Sequence, residues 1–321
     1  MAGIAQDLCD ASLANSSRRT YGAAQKSYIS FCEAIGAQPV PASEQLLILF
    51  VAEASQKVCY STIRTYLAAV RHMHIARGYK DPLKGALQLE LVLRGAKRQK
   101  PRSQDSRLPI TTWILLKIKK VLQRDPHNWD NIMLWAAVTM AFFAFLRSGE
   151  LTVDSLDSFD PEWHLTPRDI AVDDVNSPSL LRVHVKGSKT DQTRVGVELF
   201  VGRTDNELCP VAAILAYVAI RGQEDGPFFL LSTGKPLSRQ VLVKMLKESL
   251  VEAGMDCSRF SGHSFRIGAA TTALANGVSD ATIQTLGRWA SESYKRYIRI
   301  PRNELAGISS VLVKDTSARL N

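Results

Sequence analysis

The chain has 321 residues, 45% hydrophobic and 22% charged, which excludes disordered, fibrous and collagen-like classes. Its length points to two domains, and 40 Lys and Arg against 31 Asp and Glu, a net charge of +9, point to a polyanionic partner. Five widely spaced cysteines without zinc or redox spacing, and no basic-then-apolar leader, suggest a reduced, intracellular protein.

Residues 17–95 read as helices separated by turns. Tyr21, Ala24, Tyr28, Phe31 and Ile35 recur at helical spacing, and Gly36, Pro39 and Pro41 close that segment. Leu46, Leu47, Phe50 and Val51 mark a second helix, with Ser43 as its N-cap. A third runs from about Ser61 to Arg77, with Ile63, Leu67 and Val70 on one face and Gly78 as its stop. Arg64 and Arg71 share a neighbouring face, either reaching phosphates or forming a solvated surface.

Lys97 to Gln104 is basic, polar and aperiodic, so the domain boundary is expected here, between 1–102 and 103–321. Lys97, Arg98 and Lys100 suit a DNA backbone, a nuclear-import patch or a plain linker. The basic excess lies mostly on this side, since residues 1–106 hold 14 basic and 8 acidic residues.

The second part opens with helices near 111–124 and 130–147. The apolar stretch Leu134 to Leu146 is short of the ~20 residues a bilayer span needs and reads as a buried helix, so no membrane association is expected. Leu181, Val183 and Val185 alternate with polar residues, as do Val195, Val197 and Leu199, giving a β-hairpin, with a third strand around 164–173. Helices return near 210–220, 238–253 and 264–276, with shorter ones to about 300. The expected fold is mainly α with a small antiparallel sheet.

Five elements hold candidate chemistry. Phe145-Leu146-Arg147-Ser148-Gly149-Glu150 delivers an arginine at the end of an apolar helix beside a carboxylate, either a helix-end arginine facing the dipole or a guanidinium held for an anion. The run Lys186-Gly187-Ser188-Lys189-Thr190 puts Lys186 within reach of DNA and Lys189 on the hairpin tip, as a surface lysine or a proton donor to a leaving 5′ oxygen. His263 and Arg266, three apart, share a helical face where an arginine fork suits phosphate oxygens, though His74 and Arg77 repeat that spacing in an ordinary helix. Trp289 reads as core packing or as an indole N–H donor to phosphate. Tyr294 and Tyr297 sit among Lys295, Arg296 and Arg299, a setting that lowers the barrier to phenolate attack. Asp154, Asp157 and Asp160 are read as solvated acids, so no metal is called for.

The joint order is arginine with glutamate, hairpin lysine, His-x-x-Arg, tryptophan, tyrosine. That order resembles the tyrosine recombinase/integrase family, most closely from Gly262 to Arg299, where "HSFRIGAA", "GRW" and "YIR" stand. The run "GRWASESYKRYIR" is also similar to recombinases of eukaryotic mobile elements of the DIRS and Crypton kinds. The resemblance implies a helical, SAM-like core-binding domain followed by a catalytic domain. It implies that Arg147, His263, Arg266 and Trp289 hold a scissile phosphate, Glu150 supports them, Lys189 is the general acid and Tyr297 the nucleophile. Trp289 precedes Tyr297 by eight residues where nine is usual in bacterial and phage members, which keeps Tyr294 as the alternative nucleophile. Implied partners are double-stranded DNA and a tetramer on two sites, with no cofactor and no ATP. The implied location is with DNA: the nucleus in a eukaryote, otherwise the cytoplasm. Two rival readings are a type IB topoisomerase and a domesticated, non-catalytic DNA-binding protein.

Overall fold

The computed structural model describes Ile4 and residues 12–99, 107–187 and 195–299. The chain forms two compact units, 1–105 and 106–321.

The first unit has four helices: α1 (Asn15–Ala34), α2 (Glu44–Lys57), α3 (Tyr60–Ala76) and α4 (Leu87–Gln99). Ser43 caps α2, its hydroxyl accepting the Leu46 N–H at 3.2 Å. Helix α1 pairs with α3 and α2 with α4 around Tyr28, Leu47, Phe50, Ile63, Leu67 and Val70. Each such apolar side chain contributes roughly 1.5–3 kcal/mol by leaving water. His74 is fully buried, its Nε2 accepting the Ala42 N–H at 2.9 Å while Nδ1 lies 2.8 Å from the Val70 carbonyl. The His-x-x-Arg of α3 is thus a structural histidine with a solvent-facing arginine. Helix α4 runs into the stretch expected to be aperiodic, because Lys97 and Arg98 in its last turn complement the helix dipole.

In the second unit, α5 (Thr112–Leu122) and α6 (Trp129–Phe143) precede the single turn α7 (Ser148–Leu151). Helix α6 is buried from Met133 to Phe142 on most faces, so its uniformly apolar sequence is that of a central core helix. Strands β1 (Ile170–Val172), β2 (Leu180–Val185) and β3 (Val197–Gly202) form an antiparallel sheet in the order β1-β2-β3, with Val183 opposite Ile170 and Leu199. The first strand is shorter than the sequence suggests, since Pro167 starts a 3-10 turn ahead of it. Helices α8 (Pro210–Arg221), α9 (Arg239–Glu252), α10 (Ser264–Ala275) and α11 (Asp280–Leu286) complete the unit, followed by a 3-10 turn over Glu292–Arg296.

One contact seats α10. The Ile110 N–H donates to the Ser264 carbonyl at 3.0 Å, and Leu108 bonds Arg259 at the same distance. A Cβ on Gly268 would lie 1.7 Å from the Ile110 carbonyl oxygen, so only glycine admits this approach. The first turn of α10, with His263 at its N-cap and Arg266 behind it, is thereby pinned against the core.

Candidate active site

Two helix ends meet at the Phe145 carbonyl. Helix α6 ends in a Schellman turn, Leu146 N–H donating to Ala141 at 3.0 Å and Phe145 N–H to Phe142 at 3.2 Å. The residue that follows the cap in such a turn is usually glycine because φ is positive; here it is Phe145, at φ 50. Helix α11 ends the same way, with Trp289 N–H on Gln284 and Arg288 N–H on Thr285, both at 3.0 Å, and Arg288 at φ 54. These are the two non-glycine residues of positive φ among the described residues, and each conformation costs roughly 1–2 kcal/mol. Gly287, beside Arg288, is glycine for space instead. A Cβ there would fall 1.7 Å from the Trp289 ring.

The Phe145 carbonyl accepts from Nη1 of Arg266 and, at 3.4 Å, from Nη2 of Arg288. Arg266 is 1% exposed, and its Nη2 donates to the Gly287 carbonyl at 2.7 Å. Its guanidinium lies 4.4 Å from the Trp289 ring and 5.7 Å from that of Tyr297. Burial, with the nearby charges of Arg147 and Arg288, lowers its pKa to about 10.

Glu150 ties the arginines together. Its carboxylate, 3% exposed, accepts from Arg147 Nη1 at 2.8 Å, from the Arg147 N–H at 2.9 Å and from Arg288 Nη2 at 2.6 Å. Burial lowers the Arg288 pKa against the pull of Glu150. Three guanidiniums face one carboxylate, leaving these four side chains at a net charge of +2. Nε of Arg266 and Nε and Nη1 of Arg288 are buried without a hydrogen-bond partner. Buried donors are nearly always satisfied, so these three nitrogens mark the electropositive cluster as a candidate site for a group with several acceptor oxygens.

Aromatic rings form its floor. Trp289 packs edge-on against Phe145 at 6.3 Å and lies 5.1 Å from the Tyr297 ring, whose other neighbour is His263 at 6.4 Å. The two tyrosines differ in setting. Tyr294 is 4% exposed; burial and a hydrogen bond to Asp280 raise its pKa, which disfavours the phenolate. Tyr297 is half-buried and faces Arg266 and His263. Its carbonyl accepts from the Thr271 hydroxyl at 3.3 Å, anchoring this end of the chain to α10.

The structure therefore gathers Arg147, Glu150, His263, Arg266, Trp289 and Tyr297 from four separated segments. Lys189 and Lys100 lie outside the described residues. Lys186 is turned inward, its ammonium 2.7 Å from Asp169 and 2.6 Å from the Pro161 carbonyl, so it braces the hairpin root. Arg71 is paired with Asp81 at 2.6 Å, while Arg64, Lys97 and Arg98 are exposed on the first unit. Asp154 and Asp157 are exposed, and no group of three or more His, Cys, Asp or Glu among the described residues is disposed to hold a metal ion. Among the described residues no helix is long and apolar enough to cross a membrane. Sequence reasoning missed Arg288. It stands in the sequence only as the middle of GRW, and no spacing rule marks it, since a positive φ at a helix end is ordinarily a glycine's.

Residues 172–303 match the model of the phage integrase family. The chain is 22% identical over 298 residues to an integrase/recombinase XerD homolog of Selenomonas ruminantium, covering 89% of this chain and 82% of that protein. Its fold is similar to the XerH site-specific recombinase bound to a palindromic difH substrate, with a TM-score of 0.61 at 13% identity over 89% of this chain and 76% of that one. It is also similar to the Tn1549 transposon integrase in complex with transposon right-end DNA (TM-score 0.59, 12% identity, 94% and 95% coverage). A lambda integrase dimer bound to a COC′ core site gives a TM-score of 0.56 at 14% identity, with 91% and 94% coverage.

Proposed function

We propose that the chain is a member of the tyrosine recombinase/integrase family that recombines DNA at specific sites through Tyr297. The observation that bears this reading is the Tyr297 ring lying beside Arg266 and His263, at the edge of an arginine cluster with unpaired buried N–H groups. Arg147, Arg266, His263 and Trp289 hold the scissile phosphate, and Glu150 orients the arginines. Tyr297 Oη forms a bond to phosphorus as the bond to the 5′ oxygen breaks, leaving a 3′-phosphotyrosyl ester. The phenolic proton passes to His263, and Lys189 supplies one to the departing 5′ oxygen. The 5′ hydroxyl of a partner strand then reverses the step. The ester conserves the bond, so the exchange needs no ATP.

In this proposal the guanidiniums neutralise the charge that builds on the phosphorus oxygens, in a pocket where such charge is poorly screened. The first unit is the core-binding domain, with Arg64, Lys97, Arg98 and Lys100 toward duplex phosphates. Lys186 instead braces the end of β2 through Asp169 and the Pro161 carbonyl. Four protomers on two sites bring the exchanging strands together.

The test is adduct formation on nicked suicide duplexes taken from the DNA flanking the coding sequence. Wild type and Tyr294→Phe form a covalent adduct, and Tyr297→Phe does not. Absence of any wild-type adduct, or an adduct that maps by peptide mass to Tyr294, overturns the reading.

A further inference from the structure

The charge balance of the cluster depends on Arg288, which the roles above leave out. Arg288 shares Glu150 with Arg147 and the Phe145 carbonyl with Arg266, so it touches the partners of both phosphate-holding arginines. Its backbone sits at φ 54, where an arginine is strained and a glycine is not. Its side chain compensates through one ion pair and one carbonyl contact. Two of its three guanidinium nitrogens, Nε and Nη1, stay buried and unpartnered. A helix stop selected for stability alone would place glycine here.

We propose that Arg288 is a positioning residue of the DNA-cleavage site. It locks Glu150 and the Phe145 carbonyl so that Arg147 and Arg266 present fixed guanidinium forks, and it brings the pocket to a net +2. A phosphodiester carries one negative charge and the five-coordinate transition state carries two. The third cation therefore favours the transition state over the bound substrate, which is the condition for raising the rate of the chemical step. Without Arg288 the cluster falls to +1, matched to the ground state. This inference rests on the recombinase reading of the same site.

Arg288→Gly is the informative variant, because glycine suits the backbone and removes only the side chain. The rate of single-turnover adduct formation is expected to fall on the order of 100-fold. Duplex affinity by gel shift changes by no more than about threefold, since one charge among many phosphate contacts is lost. Millimolar guanidinium ion restores part of the rate to Arg288→Gly and none to Arg266→Ala. Arg288→Lys, which keeps the charge, lies between wild type and Arg288→Gly. A wild-type rate in Arg288→Gly overturns the proposal. So does a loss shared equally between rate, DNA affinity and melting temperature with no guanidinium rescue, since that marks a merely structural residue. A second arm is independent of cleavage: orthovanadate, a mimic of five-coordinate phosphorus, raises the melting temperature of wild type but not of Arg288→Gly. If wild type makes no adduct, the recombinase reading fails, and the vanadate arm alone decides whether Arg288 completes an anion site.

Discussion

Replacing Glu150 by glutamine changes one buried charge and almost no volume, so it measures what holds the arginines together. The carboxylate has 3% of its side chain exposed and lies 2.8 Å from Arg147 and 2.6 Å from Arg288. Removing one partner of a buried ion pair costs about 3–5 kcal/mol, because the charge left behind has neither water nor counter-ion. The amide oxygen still accepts from one arginine, which sets the expectation near the low end, about 3 kcal/mol. In a unit of residues 106–321 that corresponds to a melting-temperature drop of roughly 6–12 °C. The assay is thermal unfolding of Glu150→Gln and wild type, with and without bound DNA. DNA should shrink the difference, because a phosphodiester in the pocket replaces part of the missing negative charge. A drop below about 2 °C in the free protein would refute the view that Glu150 is the counter-ion of the cluster.

Two further outcomes follow from the same geometry. Gly287→Ala drives a methyl into the Trp289 ring, whose atoms lie 1.7–2.3 Å from the Cβ position, so Trp289 leaves its place under Arg266. Adduct formation slows at least tenfold and indole fluorescence shifts; wild-type values for both would show that Trp289 does not support the guanidinium. The second concerns alkaline pH. Tyr217 is fully buried, its hydroxyl donating to Phe228 at 3.1 Å and accepting from the Leu230 N–H at 2.8 Å, and burial pushes its pKa up to about 12. The unfolded chain loses that proton near ~10 and the folded one keeps it to about 12, so the stabilisation is complete below ~10 and fades as pH rises to about 12. Urea titrations of Tyr217→Phe and wild type should differ most at neutral pH and converge by about 3 kcal/mol across that window. A difference independent of pH would show that Tyr217 ionises freely in the folded state.

Much of this architecture is legible in the chain because it rests on short-range rules. Ser43 announces α2, Gly78 closes α3, the alternation around Val183 gives the hairpin, and the apolar stretch from Leu134 gives the central helix. The signal for the candidate site is of another kind. His74-x-x-Arg77 and His263-x-x-Arg266 have the same spacing, yet one histidine is fully buried against the backbone and the other borders a tyrosine ring. Periodicity cannot separate them; only the ordered company of Arg147, Glu150, Trp289 and Tyr297 does. Lys186 shows the opposite limit, since a lysine next to a loop reads as exposed until Asp169 is found beneath it. Arg288 is not legible because a glycine at a helix end is the usual positive-φ residue, and nothing in the sequence shows that Arg288 takes that conformation instead.

That exchange of roles between Gly287 and Arg288 shows how the pocket is built. An ordinary helix stop would put glycine at the positive-φ position and leave its side chain out of the site. Here the glycine has moved one place back, where the Trp289 ring needs the room, and the strained position is given to a cation. Phe145 does the same at the end of α6, turning its carbonyl toward two guanidiniums while its ring meets Trp289. Each residue spends conformational energy to aim a polar group at one point. A buried cluster at +2 with orphaned donors adds a further cost, so this geometry is held against several unfavourable terms. In the proposed mechanism a phosphate, with negative charge and several acceptor oxygens, relieves them together. On that proposal the two helix ends store strain that the transition state returns, and the residues that break local rules, Phe145 and Arg288, are the ones that meet at the candidate site.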